Sequence, residues 1–405
     1  RCRDNKCGII RPLARRILAT ADSDLGTTGQ PKVMAKALFS VAAFGVAASL
    51  AQDIDEISNG LTTENDVNDV KLLSRDVCEI KIALTDPDRF VSNLPDYASA
   101  TEVFVNGMTL DDANLQELAE TDLTAEDLPS WSLFSDYYGS DAFIDDFVRP
   151  PLCQGLADEG YCAGQTDGSL EPASRNEYVL KTMQNWIPLT MSIADMERAI
   201  SSLEDGNEDE ARMSWDRAYA FYVGADPLTE DCSPYTTTFK RESNFDIRDG
   251  HNQDTIMEAF VDGASAIESG NVDELKEAYR LILGMHMVTY AQATTRYASF
   301  LDVLAEAQAP AFDQRAEGEI FYNLIAPYVR LVDPEGDEVV RAVYDDPNIA
   351  PEEGQGYYCQ VETVMRCFVR SLSEYGVTEE DYGLFENAFE ECDVSCSDNQ
   401  MPIEF

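Results

Sequence analysis

Apolar residues recur at helical spacing through most of this chain from about Asp66 onward, and this periodicity is the feature that most limits its fold. Short acidic or Gly-bearing turns interrupt the apolar runs, and the alternating pattern typical of β-strands is scarce. The 405 residues are 44% hydrophobic and 10% aromatic, which is enough to bury a sizeable core. We therefore predict a mainly α protein.

Turn residues between the apolar runs predict helical hairpins. One hairpin passes through Gly206, and its second helix should end at Gly224. Another turns at Gly270 and Asn271, with Asp273 as the expected helix cap. A weaker hairpin near the start ends at an Asn-Gly pair in EVFVNG.

The full fold prediction is antiparallel helical hairpins in two related halves, stapled by disulfides. The stretch PPLCQGLADEGYCAGQTDGSLEPAS is rich in Cys, Gly and Pro and should connect the halves without regular structure. The predicted divisions are an upstream segment (1–33), a signal peptide (34–51), an N-terminal helical part (52–150), a connector (151–175), a helical-hairpin part (176–346) and a Cys-rich C-terminal part (347–405).

The beginning of the sequence has the features of a secretion signal. MAKALFSVAAFGVAASLAQ starts at Met34, has Lys36 as its positive residue, and continues into an apolar stretch that ends in small residues. That stretch is too short to span a bilayer, so no integral membrane segment is expected in the mature chain. The preceding basic segment has the composition of translated upstream sequence or of a transit extension.

The charge balance excludes one class of partner. The chain has 76 acidic and 29 basic residues, which gives a formal net charge of −47. Such a field repels phosphate backbones, so nucleic acid is not expected as a partner. Cations and basic surfaces are the partners that it attracts, although the acidity can equally serve solubility alone.

Eight cysteines follow the predicted signal peptide, and an even number in a secreted chain indicates disulfides. Short sequence separation favours a bond between Cys153 and Cys162. It also favours either Cys359 with Cys367 or Cys392 with Cys396, and eight cysteines allow 105 pairings in all. No spacing fits a zinc knuckle.

The sequence contains no visible machinery for nucleophilic catalysis, and we do not expect an enzyme. The elbow GxSxG, the P-loop and the dinucleotide-binding glycine pattern do not occur. The two histidines, His251 and His286, fall in different predicted helices and form no HExxH pair, so each is interpreted as structural.

Hard oxygen donors are abundant, and they suit hard cations such as ferric ion. Asp216, Tyr219 and Tyr222 fall three residues apart, which places them along one stripe of a helix. The candidate ligands for ferric ion are drawn from three segments, and an Arg next to one of them would bind a small anion. The candidates are Asp216, Tyr222, Tyr297 and Glu317 for the metal and Arg296 for the anion. Tyrosines at this spacing are also common in helical cores.

A second group of acids and tyrosines surrounds Gly139 in FSDYYGSDAFIDDF. Two interpretations stay open for it, a second cation site and a helix-turn-helix junction. An EF-hand loop is not among them, since the acids do not occupy the alternate positions that such a loop needs.

Several strings together resemble the algal iron-assimilation proteins, described also as low-iron-inducible or high-carbon-dioxide-inducible periplasmic proteins and related to diatom phytotransferrins. They cover most of residues 80–346: ALTDPDRF, DYASATEVFVNG, FSDYYGSDAF, WDRAYAFYVG, CSPYTTTFKRESNF, GNVDELKEAYRLILGMHMVTYAQATTRYASFLDV and AEGEIFYNLIAPYVRLVDPEGDEVVRAVYDD.

The resemblance implies a protein of the periplasmic space or cell surface that assists the assimilation of ferric iron, with carbonate as a co-bound anion. It also implies a partner in the uptake machinery of the cell surface. The alternative that the sequence leaves open is an acidic structural protein of the cell wall or periplasm without selective metal binding.

Overall fold

The structure, a computed structural model, describes residues 63–91, 94–109, 114–165, 167–227, 231–247, 250–345, 349–385, 388 and 392–396. The predicted upstream segment and signal peptide lie outside these residues. The prediction of a mainly α protein is confirmed. Within the described ranges the only β feature is an isolated bridge between Val91 and Leu94.

The helices of the described ranges are, in chain order, α1 (Asn68–Thr85), α2 (Tyr97–Asn106), α3 (Leu115–Ala119), α4 (Pro129–Tyr138), α5 (Phe143–Cys153), α6 (Pro172–Lys181), α7 (Ile187–Glu204), α8 (Glu208–Val223), α9 (Pro234–Asn244), α10 (His251–Glu268), α11 (Val272–Glu306), α12 (Phe312–Asn323), α13 (Ala326–Val332), α14 (Pro334–Tyr344), α15 (Tyr357–Ser371) and α16 (Glu379–Tyr382). Short 3₁₀ turns cover Pro87–Arg89, Thr124–Glu126, Gly160–Cys162 and Leu372–Tyr375.

The predicted hairpins are antiparallel helix pairs joined by tight turns. Helices α7 and α8 pack together, and α8 ends at the Gly224 cap as predicted. Helices α10 and α11 form the second pair, but the cap prediction for α11 is wrong. Asn271 occupies the cap position and its side chain accepts from the Glu274 amide, while Asp273 lies inside the first turn. An Asn side chain at this position satisfies an amide that has no partner within the helix.

The weaker hairpin near the start is also helical. Helix α2 begins after Asp96, whose side chain accepts from the Ser99 amide, and it ends at the predicted Asn-Gly pair. Gly107 has φ +66°, a conformation that glycine adopts without the steric cost paid by other residues. Helices α1 and α2 pack against each other.

The 35-residue helix α11 forms the centre of the molecule. It packs against α7, α9, α10, α12 and α15, so it is buried around much of its circumference. Large side chains such as Tyr290, and small ones such as Ala291 and Ala293, are almost fully buried along it. The core is therefore formed between α11 and the helices that surround it.

The predicted connector contains more helix than expected. Helix α5 extends to Cys153 and includes Pro150 and Pro151, and irregular chain then leads to α6 at Pro172. A five-residue π-helix, Thr182–Trp186, joins α6 to α7 without a turn. Insertions of this kind are rare and often lie near functional sites.

Four disulfides join the cysteines of the described chain: Cys78–Cys232, Cys153–Cys162, Cys359–Cys392 and Cys367–Cys396. The prediction for Cys153 and Cys162 is confirmed. Both alternatives for the C-terminal cysteines are wrong, because Cys392 and Cys396 bond to Cys359 and Cys367 and not to each other. Cys359 and Cys367 lie on one helix, α15. Eight residues of helix separate two Cα atoms by about 12 Å, which is too far for a disulfide.

The structure supports a disulfide-stapled helical fold, and the grouping of the hairpins into two related halves stays a prediction. None of the helices in the described ranges combines the length and the apolar character needed to cross a bilayer.

Candidate functional site

Three of the predicted site residues meet in one place. Tyr297 and Arg296 lie on α11, and Glu317 lies on α12, which packs against α11. The Tyr297 side chain is 5% exposed and its ring stacks on Phe321 with ring centroids 5.7 Å apart. The Arg296 guanidinium carbon lies 5.0 Å from the centroid of the Tyr297 ring. Helix packing thus brings a phenol, a carboxylate and a guanidinium together.

Helix α6 adds a basic and an acidic residue to this group. The Lys181 ammonium lies 3.2 Å from a Glu317 carboxylate oxygen and 3.7 Å from a Glu177 carboxylate oxygen. The three side chains remain 15–22% exposed, so solvent reaches this group of charges. We call the group of Glu177, Lys181, Arg241, Arg296, Tyr297 and Glu317 the Tyr297 pocket.

The two glutamates of the Tyr297 pocket interact, and their pKa values shift in opposite directions. Burial and the charge of Glu317 raise the pKa of Glu177. Burial disfavours the ionised form of Glu317 as well, but Lys181 and Arg296 outweigh it and hold the pKa of that carboxyl below its usual range. Glu317 is therefore the carboxylate, and Glu177 is the group that readily carries a proton.

Tyr297 is protonated in this environment. Burial and the neighbouring Glu317 charge raise the pKa of its hydroxyl, although three cations oppose the shift. The hydroxyl also interacts with the Glu317 carboxyl and lowers the pKa of that group. The phenol can lose its proton only if a stronger positive charge takes the proton's place.

Arg241 of α9 belongs to the Tyr297 pocket, and its hydrogen bonding is incomplete. The side chain is 7% exposed, yet within the described chain its Nε and Nη1 atoms have no acceptor. Burial and the nearby charge of Arg296 lower the pKa of this guanidinium. Buried polar groups in native proteins are nearly always paired, so an anion that accepted from these two N–H groups would complete the hydrogen bonding of Arg241.

A second ionic group adjoins the pocket. The Asp231 carboxylate accepts from Lys81 at 2.9 Å, pairs with Lys240, and accepts from Gln184 of the π-helix at 3.2 Å. Asp231 and Lys181 interact electrostatically, which links the two groups. Five of the 29 basic residues of the chain therefore belong to these two groups.

Asp216 lies in a different environment. It is fully buried, and one of its oxygens accepts from the Glu64 and Asn65 amides and from the Asn65 side chain, each at 3.0 Å. Its other oxygen accepts from Arg212 at 3.0 Å. These contacts fix the chain that precedes α1 against α8.

Tyr222 is on the same helix as Asp216 but belongs to a buried aromatic group. Its hydroxyl donates to Thr238 at 3.2 Å, and its ring packs on His286 with ring centroids 5.0 Å apart. Burial raises the pKa of Tyr222 well above the ordinary value. Tyr219 is also buried in this part of the core.

Sequence reasoning missed Glu177, Lys181 and Arg241. The spacing of Glu177 and Lys181 is a helical ion-pair signal that was available. Arg241 had no such signal, because its role depends on how α9 meets α11. The surrounding cations could not be distinguished from surface residues by spacing alone.

The Tyr297 pocket differs from a conventional metal site in its donor set. In the described ranges no three His, Cys, Asp or Glu side chains converge as a metal-binding group. In the Tyr297 pocket the oxygen donors are two glutamates and one phenol, and they share the space with Lys181. This set suits a hard trivalent cation better than zinc or copper.

Comparison with protein-family models, with curated proteins and with solved structures finds no match to this chain.

Proposed function

We propose that this protein binds ferric iron together with a small oxyanion such as carbonate in the Tyr297 pocket, as a secreted or cell-surface protein of iron assimilation. The resemblance described above suggests the cargo and the anion. The observation that carries the proposal is the buried Arg241, whose guanidinium has two unpaired N–H groups and lies beside the Tyr297 phenol and the Glu317 carboxylate.

The donor set is chemically suited to the cargo. Ferric ion prefers anionic oxygen ligands, and Tyr297, Glu177 and Glu317 supply three of them. Arg241 and Arg296 are placed to neutralise an anion that completes the coordination. Iron binding without an anion would leave the two guanidinium groups uncompensated, so iron and anion should bind together.

Loading the pocket requires two rearrangements of charge. Lys181 has to leave its position between the glutamates, which its partly exposed side chain permits. The Tyr297 proton and the proton carried by Glu177 pass to solvent as the metal takes their place. Binding should therefore release protons and weaken in acid.

The covalent structure is consistent with the proposed location. Four disulfides are typical of oxidising compartments outside the cytosol. The strongly negative surface would raise the local concentration of cationic species and of basic partner surfaces. A cell-surface component that accepts the iron is the partner that this function needs.

Binding of an oxyanion without iron is a second candidate function. The two unpaired N–H groups of Arg241 favour it, and so do the basic residues near them, because these groups can bind an anion without a metal. The two functions predict different behaviour of the metal-free protein. It should bind the anion if oxyanion binding is the function, and bind it only weakly if iron and anion bind together.

Metal and anion dependence can be separated with purified protein. Native protein is desalted after incubation with ferric citrate, with and without bicarbonate, and bound iron is measured. We expect one equivalent in the Tyr297 pocket when bicarbonate is present, its loss in Tyr297→Phe, and its retention in the control Tyr290→Phe. Tyr290 is a matched control because it is also buried on α11 and its hydroxyl donates to Asn185, outside the Tyr297 pocket.

Two results would contradict the proposal in different ways. Bicarbonate that binds the iron-free protein as tightly as the iron-loaded one would favour the oxyanion function. Protein that retains neither iron nor bicarbonate would favour the scaffold alternative.

A further inference from the structure

Asp337 is a fully buried carboxylate whose two oxygens differ in their hydrogen bonding. Its Oδ1 atom accepts from the hydroxyl groups of Tyr137 and Tyr322, each at 2.7 Å. Its Oδ2 atom is also buried, and within the described chain no hydrogen-bond donor reaches it. The group therefore has one oxygen with two donors and one oxygen with none.

Three helix ends create this arrangement. Tyr137 is in the last turn of α4, Tyr322 is in the last turn of α12, and Asp337 is in the first turn of α14. The N-terminal end of a helix favours negative charge, which helps to hold a carboxylate there. Tyr137 comes from the segment FSDYYGSDAF, for which the sequence left a second cation site open. That segment is also a helix-turn-helix junction, since Gly139 separates α4 from α5.

Two arginines cover the group from the solvent side. Arg330 Nη1 lies 3.5 Å from Asp337 Oδ2, and Arg341 Nε lies 3.5 Å from Oδ1. Arg341 also donates to the Tyr137 hydroxyl at 2.7 Å. Both arginine side chains are about half exposed, whereas Asp337 is not exposed at all. We call these five residues the Asp337 cluster.

A purely structural carboxylate is expected to have both oxygens hydrogen-bonded. Asp195 and Asp302 in the same protein meet this expectation. Asp195 accepts from Arg198 and Arg217 on different oxygens, and Asp302 accepts from the Tyr357 and Tyr358 amides on different oxygens. Asp337 departs from it, because among the described residues its Oδ2 accepts no hydrogen bond and only an ion-pair contact with Arg330 is near it, while its Oδ1 accepts from two phenols. Asp76 also has one buried oxygen without a donor in the described ranges, but its other oxygen accepts from Met108 and Thr109 and not from phenols.

We propose that the Asp337 cluster is a second site for a hard trivalent metal ion, held by the Asp337 carboxylate and by Tyr137 and Tyr322 as phenolates. Each phenol releases its proton to solvent as its oxygen binds the metal. The three negative ligands then balance the three positive charges of the ion, and Arg330 and Arg341 remain to bind a small oxyanion. The inference rests on the proposed function for the identity of the cargo, but it uses different residues.

The charge count favours a trivalent ion over a divalent one. Both phenols donate to Asp337 in the metal-free protein, so each has to exchange its proton for the metal before its oxygen can bind it. Calcium and magnesium prefer carboxylate, carbonyl and water ligands to phenolates. The cluster should therefore bind ferric ion or gallium(III) and ignore calcium.

Gallium(III) with bicarbonate is the probe that separates the two sites. The ultraviolet difference spectrum counts the phenols that ionise, and elemental analysis after desalting counts the metal. We expect native protein to bind two equivalents and to ionise three phenols. Tyr297→Phe should keep one equivalent with two ionised phenols, and Tyr137→Phe or Asp337→Asn should keep one equivalent with one.

Circular dichroism establishes that each variant is folded, and Tyr137→Phe is the mildest change because Tyr137 is only partly buried. The inference is overturned if Tyr137→Phe and Asp337→Asn bind as much gallium(III) as native protein with the same difference spectrum. It is also overturned if Tyr297→Phe removes all bound metal. If native protein binds a single equivalent that Tyr297→Phe leaves intact and Asp337→Asn abolishes, the Asp337 cluster stands and the Tyr297 pocket fails as the iron site.

Discussion

Lys181 places its ammonium group 3.2 Å from a Glu317 carboxylate oxygen, so in the metal-free protein a side-chain cation occupies the space between the acids of the Tyr297 pocket. The same ammonium lies 3.7 Å from Glu177. The ion pair stabilises the empty pocket, and it competes with any metal that enters.

Lys181→Met should therefore have opposite effects on stability and on metal binding. We expect the free energy of unfolding of the metal-free protein to fall by about 2 kcal/mol, because two partly buried glutamates lose their partner. The affinity for ferric ion should rise about tenfold, which corresponds to about 1.4 kcal/mol of removed competition. Urea unfolding and a competition titration against citrate measure the two quantities.

Lys276→Met is the matched control for Lys181→Met. Lys276 pairs with Glu204 on the surface, where an ion pair contributes less than about 1 kcal/mol. If Lys181→Met leaves ferric affinity at the native value, Lys181 does not compete with the metal and the pocket is not the iron site.

Arg241→Met should stabilise the metal-free protein while it abolishes the anion requirement. The native guanidinium is 7% exposed and has two unpaired N–H groups, so an apolar side chain of similar length removes an uncompensated desolvation cost. We expect a gain of about 1 kcal/mol in the free energy of unfolding, and iron binding in the Tyr297 pocket that no longer responds to bicarbonate. A loss of stability with an unchanged bicarbonate response would show that Arg241 is only structural.

His286 should make the protein sensitive to acid. Burial lowers the pKa of this imidazole to about 3, from an ordinary value of 6.5, and within the described chain neither ring nitrogen has a hydrogen-bond partner. Between these two values the unfolded chain binds a proton that the folded protein does not. The free energy of unfolding therefore falls as the pH falls through this window and is fully retained above it, with a loss from this group of about 2 kcal/mol at pH 5.

His286→Leu should remove that part of the acid sensitivity. Urea unfolding at pH 5 and at neutral pH gives the difference for native protein, for His286→Leu and for the control Met285→Leu, which changes a buried neighbour that does not titrate. A difference that is the same in all three proteins would mean that His286 is protonated or solvated in the folded state.

Two disulfides that close loops of very different length should contribute unequally to the free energy of unfolding. Cys78–Cys232 closes a sequence separation of 154 residues, and Cys153–Cys162 closes one of 9. In the chain-entropy description the first contributes about 5 kcal/mol and the second about 3 kcal/mol. Urea unfolding of Cys78→Ser/Cys232→Ser and of Cys153→Ser/Cys162→Ser tests this order, and a larger loss from the short loop would contradict it.

The helices were predictable from the sequence because their signals are local. Apolar spacing, the turns at Gly206 and Gly270, and the Asn-Gly end of α2 each depend on a few neighbouring residues. The misplaced cap at Asp273 shows the limit of this reasoning, since Asn271 and Asp273 are both good cap residues and only the position where the helix begins decides between them.

The pairing of the C-terminal cysteines and the composition of the site were not predictable in the same way. Short separation favours Cys359 with Cys367, but the rigidity of α15 keeps them apart. The sequence indicated Tyr297, Arg296 and Glu317 as candidates because they stand in two segments with strong donor chemistry. Arg241 and Asp337 were missed because their roles depend on which helix ends meet, which donor chemistry alone does not reveal.

The visible spectrum of the iron-loaded protein tests the central claim most directly. Native protein and Tyr297→Phe are titrated with ferric citrate in the presence of bicarbonate, and the band from phenolate-to-iron charge transfer is followed. We expect a band that saturates at a fixed iron-to-protein ratio in native protein and that loses the Tyr297 contribution in the variant. Identical bands in the two proteins, or no band in either, would contradict it.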